Sequence, residues 1–84
     1  MSSNYKLEII SPEKLLFSGS VESATFPGAK GRFTVLYNHA PLISVLEKGT
    51  IRYIYEGAEQ TLLISGGFVE VRNNSVTACV CPTQ

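Results

Sequence analysis

Tryptophan is absent from this 84-residue chain, histidine occurs once, methionine once and cysteine twice. Charge is sparse as well: Asp, Glu, Lys and Arg make up 17% of the residues, against about 25% in ordinary soluble domains. Seven basic residues face seven acidic ones. No stretch reaches the density of Lys and Arg needed to neutralise phosphates, which excludes DNA or RNA as a main partner. No window approaches the roughly 20 apolar residues of a membrane-spanning helix. The opening MSSNYKLEII has no apolar core long enough for a signal peptide. These gaps point to a soluble, cytosolic chain, free to rest on a membrane complex without entering the bilayer. The two cysteines, Cys79 and Cys81, stand at i and i+2. On a strand such neighbours share a side but lie about 6.5–7 Å apart, poor geometry for an internal disulfide. No other Cys or His pair completes a zinc set. Two reduced thiols near a strand end are expected, with no metal and no cofactor.

What is present is strand after strand. Eighty-four residues make one domain, 1–84, with a thin core that buries about 60–65% of the unfolded surface. Tyr5 to Ile10 alternates apolar and polar, and Ser11-Pro12 stops it. Extended segments follow at Lys14–Phe17, Val21–Phe26, Arg32–Leu36, Leu42–Leu46, Thr50–Tyr55, Gln60–Ser65, Phe68–Arg72 and Ser75–Val80. Between them lie turn residues: Pro27-Gly28, Glu56-Gly57 and Asn73-Asn74 among others. No segment carries a helical period. About nine strands at spacings of eight to twelve residues predict an all-β, two-sheet antiparallel sandwich or flattened barrel. Gly66-Gly67 inside a strand-like run predicts a bend by which one strand serves both sheets.

Two segments break the alternation. Leu42-Ile43-Ser44-Val45-Leu46 and Leu62-Leu63-Ile64 are apolar on both sides. A sandwich in water shows a polar outer face, so such strands predict an exterior covered by a partner.

Chemistry has few footholds. His39, in the corner Asn38-His39-Ala40-Pro41, is the natural candidate for a catalytic base. Ser44 and Glu47 are near in sequence, but no nucleophile elbow surrounds the serine. Pro41 restricts Ala40 and stiffens the corner, which suits docking better than catalysis. Gly28-Ala29-Lys30-Gly31 has the glycines of a phosphate loop without its Lys-Ser or Lys-Thr, and no helix follows. The expectation is a chain without catalytic residues.

An ordered set of motifs carries a resemblance. Phe17-Ser18-Gly19-x-Val21-Glu22, Pro27-Gly28-x-x-Gly31, Asn38-His39-Ala40-Pro41-Leu42-Ile43, Lys48-Gly49-x-Ile51-Arg52, Ile64-Ser65-Gly66-Gly67-Phe68-Val69-Glu70-Val71 and Asn74-x-Val76-Thr77 follow one another from Tyr5 to Ala78. Together they resemble the epsilon subunits of F-type ATP synthases.

That resemblance implies a flattened sandwich of about ten short strands in the central stalk of the rotor. It implies two partners, the gamma subunit and the polar loops of the c-ring. It implies a non-catalytic role in coupling proton transport to ATP synthesis. Membrane association would come only through the complex, on the cytoplasmic face of a bacterial plasma membrane. By matching position, Lys30, Gly31, Arg32 and His39 would face the ring, and Leu16, Ile43, Leu63 and Phe68 would face gamma. The chain departs from the pattern in two places. Arg32 stands where the family usually has an acidic residue, and Tyr37-Asn38 replaces Pro-Gly. The family's C-terminal helical pair has no counterpart in these 84 residues, so neither inhibition by that route nor its ATP site is expected. The alternatives are a generic β-sandwich interaction module that pairs with itself, and a small enzyme built on His39.

Overall fold

The computed structural model describes residues 3–83. Seven strands occur among the described residues: β1 (Tyr5–Ile10), β2 (Leu15–Phe26), β3 (Phe33–Val35), β4 (Leu42–Leu46), β5 (Gly49–Tyr55), β6 (Ala58–Arg72) and β7 (Ser75–Pro82). No helix lies among the described residues. The expected nine segments become seven because two pairs of them fuse into the long strands β2 and β6.

Each long strand serves two sheets. The first half of β2 pairs with β1 up to Val21, and its second half pairs with β5 and β3. The first half of β6 pairs with β5, and after a bulge between Ile64 and Gly66 its second half pairs with β7 and β4. One sheet therefore runs β2–β1–β7–β6–β4 and the other β3–β2–β5–β6. Counted at the bends, there are nine strand segments in two layers. The all-β sandwich is as expected, with extents of 37 × 23 × 19 Å.

Small residues keep the long strands continuous. A Cβ at Gly19 would stand 2.9 Å from the rings of both Phe17 and Tyr55, so glycine lets β2 pass beneath the aromatics and still pair with Leu7. Gly67 has φ +145°, and a Cβ there would run into the backbone of Cys79 and Val80. The bend of β6 thus requires a residue with no side chain.

One of the seven ladders departs from the antiparallel expectation. The first and last strands, β1 and β7, pair in parallel from Lys6↔Ser75 to Ile10↔Cys79. No hairpin joins them, so nothing local dictates their relative direction.

The core fills the space between the layers. Leu7 and Ile9 of β1, Val69 and Val71 of β6, and Val76, Ala78 and Val80 of β7 meet Val21, Ala24, Phe26, Ile51, Tyr53 and Ile64. Each large side chain so buried contributes roughly 1.5–3 kcal/mol before conformational entropy is counted. Among the described residues no charged or polar residue is buried, and no buried side-chain polar atom lacks a partner. The Tyr5 hydroxyl reaches through the core to donate to Val35 O at 2.7 Å. Burial pushes the Tyr5 phenol well above its ordinary range, so it remains a neutral donor.

Candidate docking surfaces

The register of five strands assembles an apolar row on the outer face of the β2–β1–β7–β6–β4 sheet. Val45 lies opposite Phe68, Phe68 opposite Cys79, Cys79 beside Ile10, and Ile10 opposite Leu15. Val45 is 64% exposed, Leu15 55% and Phe68 48%, whereas their strand neighbours Leu46 and Val69 point into the core. Ile43, two residues before Val45 on the same side, is 73% exposed. A groove of about 350 Å³ opens along the row between Pro12, Ile10, Phe68, Cys79 and Cys81. The other half of this face is ionic. Glu70 pairs with Arg72 at 3.0 Å and Lys6 with Glu8 at 3.7 Å, so these charges neutralise one another. An apolar strip beside a self-paired polar margin is the anatomy of a protein–protein contact.

The four residues expected to face gamma divide three ways. Ile43 and Phe68 stand on this face. Leu63 is 58% exposed but precedes the bulge of β6, so it borders the row from beyond the bend. Leu16 is half-buried and packs against the core. It is the extra residue of a bulge between the pairs Ile9↔Phe17 and Ile10↔Leu15, and Leu15 takes the outward position. The gamma-facing set left out Val45, although its strand was read as apolar on both sides, and sequence reasoning overlooked Ile10, Leu15 and Cys79. For Val45 the alternation with Ile43 was a usable signal. The other three join the row only through strand register, which no local pattern displays.

The residues expected to face the ring fall at two places, one at each end of β4. At the Leu42 end, Leu36 O accepts from His39 N at 3.1 Å and closes a tight turn. Asn38 occupies its left-handed position at φ 64°. Asparagine thus does there what glycine would do, and the turn survives the replacement of Pro-Gly by Tyr37-Asn38. Asn38 N donates to Asn74 Oδ1 at 2.8 Å, and Asn74 Nδ2 donates to Asn38 Oδ1 at 3.3 Å. His39 is half-buried, with Nδ1 donating to Ala40 O at 2.8 Å. A carbonyl oxygen only accepts, so Nδ1 carries a proton. The Ser44 hydroxyl donates to Val45 O at 3.2 Å. Among the described residues His39 makes no ion pair.

At the Leu46 end, Lys30, Gly31 and Arg32 are all exposed. Their loop is tied to the β4–β5 connection by a bridge between Gly28 and Leu46. Ala29 N donates to Val45 O and Glu47 N to Pro27 O, both at 2.9 Å. Five residues of strand, roughly 13 Å at about 3.3 Å per residue, separate this loop from the start of the His39 corner. The same ties cover one end of the β4 edge, where its outward backbone groups would otherwise be open to pairing.

No group of three or more His, Cys, Asp or Glu side chains suited to a metal occurs among the described residues. Cys79 and Cys81 are free thiols, the first half-buried and the second exposed.

The model of the ATP synthase delta/epsilon chain β-sandwich domain matches residues 4–81. The ATP synthase epsilon chain of Nitratiruptor sp. is 46% identical over 76 residues, which cover 89% of this chain and 59% of that protein. The epsilon chain of Desulfitobacterium hafniense is 43% identical over 77 residues, 92% of this chain and 58% of that one. The present chain therefore spans less than two thirds of the length of these relatives. Among solved structures, the OSCP/F1/c-ring part of the Euglena gracilis mitochondrial ATP synthase contains a chain that superposes with a TM-score of 0.87 at 23% identity. The match covers 95% of this chain and 52% of that one. The central stalk/c-ring structure of the Tetrahymena thermophila enzyme gives 0.78 at 16% identity, over 90% and 62%. At such identities the superpositions speak for the fold.

Proposed function

The chain belongs to the ATP synthase delta/epsilon β-sandwich family, and from that premise we propose that it is the epsilon component of an F-type ATP synthase rotor. In this reading residues 1–84 act as one sandwich domain that catalyses nothing. It joins the gamma subunit to the polar loops of the c-ring, so that proton-driven rotation of the ring is passed to the shaft. It sits on the membrane only through the complex, on the cytoplasmic face of a bacterial plasma membrane.

The observation that carries the reading is the apolar row Val45–Phe68–Cys79–Ile10–Leu15, extended by Ile43. A domain this small has little to gain from leaving so many large apolar side chains in water, and gamma is the partner assigned to cover them. A stable contact of this type buries about 1,200–2,000 Å² in total. Within the gamma-facing set, Ile43 and Phe68 are central, Leu63 is marginal, and Leu15 stands in for Leu16. The ring then meets two separate points, the Lys30–Arg32 loop and the His39 corner. Size-exclusion chromatography tests the assignment. The chain alone should elute as a monomer, and with gamma of the same synthase as a one-to-one complex. A stable homodimer indifferent to gamma would replace it with the self-pairing alternative.

A further inference from the structure

The two thiols of the chain share one side of β7. Ala78 and Val80 point into the core, so Cys79 and Cys81 alternate outward, the first half-buried and the second exposed. Both line the groove of about 350 Å³, whose other walls include Ile10, Pro12 and Phe68. The fold opens that groove beside the sulfurs. Cys81 lies opposite Gly66, which has no side chain to place against it, and β1 ends at Ile10, abreast of Cys79. Among the described residues no charged side chain lines the groove.

We infer that Cys79 and Cys81 together form a two-coordinate thiolate site for a soft monovalent metal ion, Cu(I). Span decides between the products open to two thiols. A disulfide needs its sulfurs about 2 Å apart, whereas Cα atoms at i and i+2 of a strand stand about 6.5–7 Å apart. Sulfurs leaning toward each other from those positions come within about 4–5 Å. A linear unit with two metal–sulfur bonds of about 2.3 Å spans roughly 4.6 Å, which matches. Ligand number decides the metal. Zinc takes four ligands, and no cluster of three or more His, Cys, Asp or Glu side chains occurs among the described residues to supply them. Thiolate sulfur is the soft donor that selects Cu(I), and two such donors complete a linear site. Each thiol gives up its proton as its metal–sulfur bond forms, so two protons leave per ion and copper stays Cu(I). The site needs no gamma subunit; the two share only Cys79, which is also the middle of the apolar row.

The test is anaerobic titration of the reduced chain with Cu(I) buffered by bicinchoninate, read by the chelator's colour and by thiolate-to-copper absorption in the ultraviolet. One ion should bind per monomer, with release of two protons. Cys79→Ser and Cys81→Ser should each lower the affinity by about a hundredfold or more, because the second bond forms within one chain. Cys81 is exposed, so Cys81→Ser should keep the circular dichroism of the original chain. No binding by the original chain, or equal affinity in either single variant, overturns the site. So does one ion shared between two chains in size-exclusion chromatography, or Zn(II) bound as tightly as Cu(I). If gamma covers the row as proposed, the one-to-one gamma complex should take up Cu(I) about tenfold more weakly than the free chain. Equal uptake by the complex counts against that cover and leaves the dithiolate site standing.

Discussion

Asn38 and Asn74 lock two turns from distant parts of the chain together. Both residues sit at positive φ, 64° and 61°, and each supplies an oxygen that the other's N–H groups use. The clasp fixes the His39 corner against the β6–β7 hairpin. Asn74→Ala removes both bonds and places a Cβ in the left-handed region, and should cost about 2 kcal/mol in urea unfolding. Asn74→Gly removes the bonds without the strain and should cost about 1 kcal/mol. If alanine proves no worse than glycine, the conformational half of this explanation fails.

At the bend of β6 the outcome should be harsher. Gly67→Ala meets both a disfavoured φ and the backbone of β7, and should destabilise by about 3 kcal/mol or more. Gly57→Ala, also at positive φ but with open space around it, should cost only about 1 kcal/mol. Equal losses at the two sites in denaturant titrations would remove close packing as the reason for Gly67.

Alkaline stability follows from Tyr5. Burial holds its phenol protonated well above the ordinary value of about 10. Its contribution is therefore complete below about pH 10 and declines as the pH rises beyond that, because the unfolded chain releases the proton more readily. Tyr5→Phe should cost about 1–2 kcal/mol at pH 7 through the bond lost to Val35 O. It should also flatten the fall in stability between about pH 10 and 11. Tyr53, raised by burial in the same direction, leaves a residual slope. An unchanged alkaline slope in the Phe variant would contradict the role given to Tyr5.

Much of this architecture was readable from the residues. Extended runs bounded by turn residues located every strand, and Asn73-Asn74 and Glu56-Gly57 marked their hairpins, now seen with positive φ at all four positions. Gly66-Gly67 read as a bend by which one strand serves both sheets, and β6 does so; the gap between Phe17 and Val21 read as a break, because small residues usually interrupt strands, but Ser18-Gly19-Ser20 stay in the ladder. The parallel pairing of β1 with β7 had no local signature. Leu15 and Leu16 were indistinguishable as a dipeptide until the bulge put one outside and one against the core. The surface was foreseen as apolar, but its shape depends on register across five strands, and register is a property of the whole sheet.

The row itself gives the sharpest expectation for single substitutions. Ile43→Asp should weaken gamma binding by about tenfold, since this residue flanks the row. Val45→Asp, opposite Phe68, should weaken it further. Far-ultraviolet circular dichroism and unfolding midpoints should stay close to those of the original chain, because both side chains already face water. Loss of fold in either variant would mean that these residues stabilise the sandwich instead of docking it.

Titration calorimetry of the purified chain against its gamma subunit, with and without Phe68→Asp, goes to the centre of the matter. The account predicts one-to-one binding by the original chain and a loss of at least about thirtyfold, about 2 kcal/mol, in the still-folded variant. Undiminished affinity for gamma with an aspartate at position 68 would contradict it.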